Sequence, residues 1–193
     1  MKTSLRWLGW IMLVTLALPV SAHRPQTFDA DEIITDPLIS WTLPGTFETG
    51  REVYSFDLTY DSPFTAPFEI FAPTSGGNGD FRPRYAVIGP GFPEATDETL
   101  ALLPDGTDVP DGAGVFLEKN EEEDRYVFFE GVMRRVLVSS GTLALRLGAG
   151  THKVIIWSPE GTQGRFMFGF GVEENFEDGG FAGVFENWGS FAY

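Results

Sequence analysis

Residues 143–171 read LALRLGAGTHKVIIWSPEGTQGRFMFGFG, and their apolar side chains recur at every second position in three runs. Leu143, Leu145 and Leu147 form the first, His152, Val154 and Ile156 the second, and Phe166, Phe168 and Phe170 the third. A period of two is the strand period, because successive side chains point to opposite faces. The connections 148–150 and 158–164 hold the Gly and Pro residues that turns require. The stretch therefore predicts three strands joined as an antiparallel meander with one face on a core. Slipping this register by one residue would turn Lys153 inward, which unpaired would cost several kcal/mol. The favoured register buries His152 beside the strand of Phe166.

Working outward, shorter apolar runs bounded by turn residues predict further strands at 38–43 (stopped by Pro44-Gly45), 46–60, 68–72, 84–89 (broken by Pro90-Gly91), 115–118, 125–130 and 132–138. Within 46–60, Tyr54, Phe56 and Leu58 alternate with Ser55, Asp57 and Thr59. No window shows a helical stripe. The pattern predicts an all-β fold, an antiparallel β-sandwich of jelly-roll-like form. Residues 92–114 form the longest irregular stretch, and connections of that length are commonly functional. The expected organisation is a signal peptide over 1–22, an extended arm and first strand over 23–44, the sandwich over 45–172 and an aromatic, Gly-rich tail over 173–193.

The first 22 residues carry Lys2 and Arg6, an apolar run over 7–20 and the small-residue end Val20-Ser21-Ala22, the pattern of a secretory leader. The apolar run is too short for a membrane anchor. A secreted or periplasmic location is expected, with 171 of the 193 residues retained and no later membrane span. Loss of Lys2 and Arg6 would take the formal charge from −15 to −17. Such a chain repels phosphate backbones and anionic lipid, so nucleic acid is not an expected partner; an extracellular or periplasmic partner of another kind is. The sequence has no Cys, which removes disulfides and thiol chemistry together, and its 18 Phe, 5 Trp and 5 Tyr supply the area for a core.

Three segments resemble the bacterial pre-peptidase C-terminal domain type: the Gly-led strand 45–56, the strand ending in Gly-Pro-Gly over 85–91, and the closing hairpin 147–159, which follows Leu-x-Ala-Gly-Thr-x-x-Val-x-Ile-x-Ser-Pro. Secreted stand-alone proteins with Phe81-Arg82-Pro83 and Ile88-Gly89-Pro90-Gly91 look similar. The resemblance covers about 45–171. It implies a small secreted sandwich of a kind usually appended to hydrolases, with similar folds binding calcium or extracellular polymers. No catalytic domain stands beside it in this sequence.

Candidate metal chemistry is sparse. His23 would become the mature N-terminus, where its α-amine and imidazole could chelate Cu2+, with a second His completing the site. The other His is His152, whose register turns it into the core and away from His23. For Ca2+ the candidates are Asp105, Asp108 and Asp111, spaced three apart where a helix-loop-helix calcium loop needs two. The run Gly76-Gly77-Asn78-Gly79-Asp80 and the acidic runs 121–124 and 173–178 read more simply as turn and solvated surface. Neither a Gly-x-Ser-x-Gly elbow nor a His-Glu-x-x-His site is present. A carboxylate pair for glycoside hydrolysis cannot be found by spacing alone. The sequence thus leans to a non-enzymatic binding or structural module whose ligand is an extracellular polymer, glycan or protein; a copper protein built on His23 and a calcium-stabilised accessory domain are the alternatives.

Overall fold

A computed structural model describes residues 24–25, 32–75, 81–131 and 134–173. Among these residues twelve strands follow one another: β1 (Arg24–Pro25), β2 (Ile33–Ile34), β3 (Trp41–Phe47), β4 (Val53–Tyr60), β5 (Phe64–Pro73), β6 (Arg84–Glu94), β7 (Gly114–Glu118), β8 (Tyr126–Glu130), β9 (Arg135–Ser139), β10 (Leu143–Leu147), β11 (Gly150–Trp157) and β12 (Gly164–Phe170). A four-residue helix, α1 (Asp97–Leu100), interrupts the connection from β6 to β7. One sheet has the order β1-β3-β12-β5-β9-β8, with β10 beside β5, and the other β2-β4-β11-β6-β7. Pairing is antiparallel except for β1 with β3 and β2 with β4. The fold is a β-sandwich.

Its core lies where the inward residues of both sheets meet. Phe56 and Tyr85 from the five-stranded sheet contact Phe168 from the seven-stranded one at ring-centroid distances of 5.9 and 5.0 Å, and Tyr54 meets Phe166 at 5.2 Å. Edge-to-face rings at these distances add about 0.5–1.5 kcal/mol each beyond the area they bury. A smaller second cluster, with Ala86, Ile88, Val115, Ile155 and Trp157 buried, lies on the outer side of the five-stranded sheet.

Alternation located the inward residues of β10, β11 and β12, but the three strands are not a meander. β10 pairs with β5, β11 with β4 and β6, and β12 with β3 and β5, so the chain crosses from one sheet to the other at each turn. His152 is fully buried, as its register requires. Its ring meets Phe64 and Phe92, at 6.4 and 6.0 Å, in place of the expected neighbour strand of Phe166. Period-two patterning fixes which face a residue takes; it carries nothing about which strand lies alongside.

Two strands also run past the Pro-Gly steps expected to stop them. β3 runs through Pro44 and Gly45, opposite Met167 and Phe166. A Cβ on Gly45 would stand 2.4 Å from the Phe166 ring, so glycine is what lets that ring fill the core there. β6 runs through Pro90 and Gly91 with a register shift between Gly89 and Glu94, a bulge that bends the strand without ending it. The segment 46–60 divides into the end of β3 and β4, separated by a turn at 48–52. Among the described residues no helix is long and apolar enough to cross a membrane. The expected leader over 1–22, His23, and the tail beyond Glu173 lie outside the described residues.

Candidate functional site

The outward positions of β6, β7 and β11 in the five-stranded sheet include Ala86, Ile88, Val115, Leu117, Ile155 and Trp157, an apolar surface on the side away from the core, flanked by Arg84 and Lys153. An antiparallel sheet face that meets water is ordinarily polar. Here residues 95–113 fold back over it. Ala95, Leu103, Val109 and Ala113 pack onto that surface. The loop holds its shape by local bonds: the Thr96 hydroxyl caps α1 by accepting from Thr99 N–H at 3.2 Å, the Thr107 hydroxyl donates to Pro104 O at 2.7 Å, and Ala113 N–H donates to Pro110 O at 3.0 Å. Such a cap is worth about 0.5–2 kcal/mol. The long irregular stretch of the sequence is thus a packed cover.

Where the later half of this loop ends, a pocket of about 440 Å³ remains between it and the sheet. Ile88, Gly89 and Pro90 of β6 form its floor. Asp108 and Asp111 stand on the loop side, and Asp57 and Lys153 on the other. Asp57 and Lys153 are directly opposite in the β4–β11 register, and Lys153 Nζ lies 3.9 Å from Asp57 Oδ1. Both side chains are partly open to solvent, so this long ion pair contributes little, about 0–1 kcal/mol, and leaves each group able to bond elsewhere. Three carboxylates against one ammonium give the pocket a net negative lining suited to hydroxyl donors or a cationic group.

His152 sits beneath the floor on the core side. Its Nε2–H donates to the Pro90 carbonyl at 2.8 Å, and its ring packs so closely on Gly89 that a Cβ there would stand 2.4 Å from His152 Cδ2. Burial lowers the imidazole pKa below 6.5, while the carbonyls of Pro90 and Gly150 offset part of that effect. A neutral His152 therefore fixes the backbone of the floor from behind; it does not face the pocket.

Of the sequence candidates for calcium, Asp108 and Asp111 line the pocket and Asp105 does not. Among the described residues no three His, Cys, Asp or Glu side chains converge as a metal site. The copper candidate His23 lies outside the described residues. Asp57 and Lys153 were missed as site residues because their partner segment, 108–113, is distant in sequence; the available signal was that alternation turns both outward from facing strands.

A second polar group occurs between β6 and β7. Tyr85 and Glu118 are register partners facing the core. Burial holds the Tyr85 phenol well above its ordinary pKa, reinforced by the charges of Glu118 and Glu69, and burial raises the Glu118 carboxyl above 4.5. Glu118 Oε1 accepts from Asn120 N–H at 2.7 Å, and Asn120 Nδ2 donates to Pro83 O at 2.9 Å. These bonds tie the end of β7 to the start of β6.

No protein-family model matches the sequence, and no curated protein matches it. Among solved structures, the pre-peptidase C-terminal domain of a collagenase from Bacillus anthracis is similar, with 5% sequence identity, a TM-score of 0.35, and alignment over 77% of this chain and 96% of that one. The sandwich itself is read from the strand pairing described above.

Proposed function

We propose that the chain is an exported, non-enzymatic β-sandwich module, secreted or periplasmic, that binds an extracellular polymer, glycan or protein segment in the pocket between the 95–113 loop and β11. The observation that carries this reading is the pocket itself, with Asp57, Asp108, Asp111 and Lys153 around an apolar floor. Pockets of this size lined by a few convergent polar groups are the usual form of ligand sites. The leader-like first 22 residues support export, and the missing nucleophile and zinc motifs support binding without turnover.

The test is titration calorimetry of the mature protein against neutral polysaccharides, peptidoglycan fragments and oligolysine, repeated with Asp57→Asn and Asp111→Asn. Saturable binding that weakens about tenfold or more per substitution, with circular dichroism unchanged, is expected for a buried polar contact. Binding that ignores both substitutions, or turnover that survives repurification, overturns the reading. Calcium alone binding at one equivalent and lost in the same variants would move it to a calcium-stabilised accessory domain.

A further inference from the structure

We propose that β8, the edge strand of the seven-stranded sheet, is a self-complementary surface on which a second copy of this chain pairs, antiparallel, about a twofold axis at Phe128. Four of the eight exposed large apolar side chains among the described residues stand on the β8–β9 hairpin: Tyr126, Val127, Phe129 and Val136. Val127 is the register partner of Val138 and Phe129 of Val136, so Val127, Phe129 and Val136 share the inward face of the sheet. An edge strand also carries a row of backbone N–H and C=O groups that its own sheet does not use, and an added strand satisfies them. Among the described residues β8 pairs only with β9.

The sequence of the strand names the occupant. A twofold axis sets each residue of one copy against the residue equally far beyond the axis in the other, and centred on Phe128 it pairs all of β8 with all of β8. Val127 then stands opposite Phe129 of the second copy, and directly opposed side chains of this kind attract by about 0.2–1 kcal/mol a pair. With the two Val136 side chains they make one apolar band across both copies. The ends match as well. Glu121, Glu123 and Asp124 are exposed just before β8, and Arg134 is exposed just after it, in the turn to β9. The same axis brings Arg134 of each copy to the acidic end of the other. The remaining charged groups of this region are engaged within one copy. Glu69 accepts from the hydroxyls of Tyr126, Ser139 and Thr142, Arg125 Nη2 donates to Phe81 O at 3.4 Å, and Glu130 faces Arg135 across the hairpin. Lys119 and Arg125 leave the four acids of 121–124 in excess. Five residues a side fall short of the roughly 1,200 Å² at which stable interfaces begin, and a charge of −15 on each copy opposes approach, so the dimer is weak and concentration-dependent.

Single cysteines read the register, because the chain has none of its own. Opposed positions on an antiparallel pair meet the Cα spacing of about 4.4–6.8 Å that a disulfide needs. With oxidised glutathione, the mature chain carrying Phe128→Cys is expected to form a covalent dimer about tenfold or more faster than one carrying Val53→Cys, an exposed position on β4. Val127→Cys is expected to link to Phe129→Cys in a mixture, while neither links to itself at that rate. If circular dichroism shows that Phe128→Cys does not fold, the mixture decides alone, since both of its positions are exposed. Sedimentation velocity of the parent is expected to show a dimer fraction that rises with concentration. Arg134→Glu is expected to weaken that association about threefold or more, and Glu123→Arg added to it to restore the loss. Equal rates at 53 and 128, Val127→Cys linking to itself as fast as to Phe129→Cys, or a monomer up to the solubility limit overturns the proposal. Dimers that form only once residues 174–193 are removed overturn it too, by assigning the edge to that segment.

Discussion

In β11, Val154, Ile155, Ile156 and Trp157 are at most 5% exposed, whereas in β8 Tyr126, Val127 and Phe129 are 45%, 64% and 63% exposed. Both strands are apolar runs of similar composition, and the difference lies in their neighbours. β11 is flanked by β4 and β6, faces the opposing sheet on one side and carries the 95–113 loop on the other. β8 ends its sheet: among the described residues it pairs only with β9. Val127 shares the inward face with Val138 and Ala72, which are 8% and 3% exposed, and differs from them in standing on the last strand of the sheet order. Exposed edge strands invite pairing with other chains, and flanking charges discourage it; Asp124 and Glu130 bracket β8. Burial of an alternating strand is thus set by its place in the sheet order.

The hardest break of this contrast is Ile156→Ala, which leaves a cavity between the sheets. A loss of about 2–5 kcal/mol in urea unfolding is expected, against a much smaller one for Val127→Ala. Equal losses would show that β8 is as enclosed as β11. Gly89→Ala is next: its Cβ would overlap His152, so a loss of about 1–3 kcal/mol should appear, and adding His152→Ala should recover part of it. A smaller effect is tied to pH. Burial depresses the His152 pKa, so the folded state binds its proton less readily than the unfolded state. That contribution to stability is fully present above 6.5 and is lost as pH falls from there through the folded pKa. Thermal melts of the parent and of His152→Leu between about one unit above and one unit below the ordinary imidazole pKa should differ in slope, the parent falling faster; parallel slopes would mean His152 is not neutral and enclosed. Smallest of all, Phe129→Thr should shift stability by no more than about 0.5 kcal/mol. Its readout is light scattering at high concentration, where self-association should fall if β8 is open.

The same contrast shows what the sequence could yield. The all-β class, the inward set Tyr54, Phe56, Leu58, Val154 and Ile156, and the burial of His152 follow from period two and from the penalty on an unpaired Lys153. Sheet order does not: nothing in 143–171 says that its strands fall in alternate sheets, because that depends on partners within residues 41–94. Glycine and proline misled at Pro44-Gly45 and Pro90-Gly91, where room for Phe166 and a bulge kept the strands going. Of the candidate site, Asp108 and Asp111 were legible as carboxylates on a long loop, and the structure places both in the pocket lining. Their meeting with Asp57 and Lys153 is a tertiary event, set by the packing of residues 95–113 onto the outward Ile155 and Trp157.

The crossing of β10, β11 and β12 between sheets governs when the domain can fold. Thr59 pairs with Thr151, 92 positions later, and Trp41 with Phe170 near the end of the described chain. Each sheet has its centre filled from the last part of the sequence, β11 in one and β12 in the other. A chain emerging from the ribosome cannot close either sheet until that part has followed, and contacts of such long range make closure slow. The topology keeps the polypeptide open until residues 150–170 have been made, so neither sheet can act as a preformed template for the other.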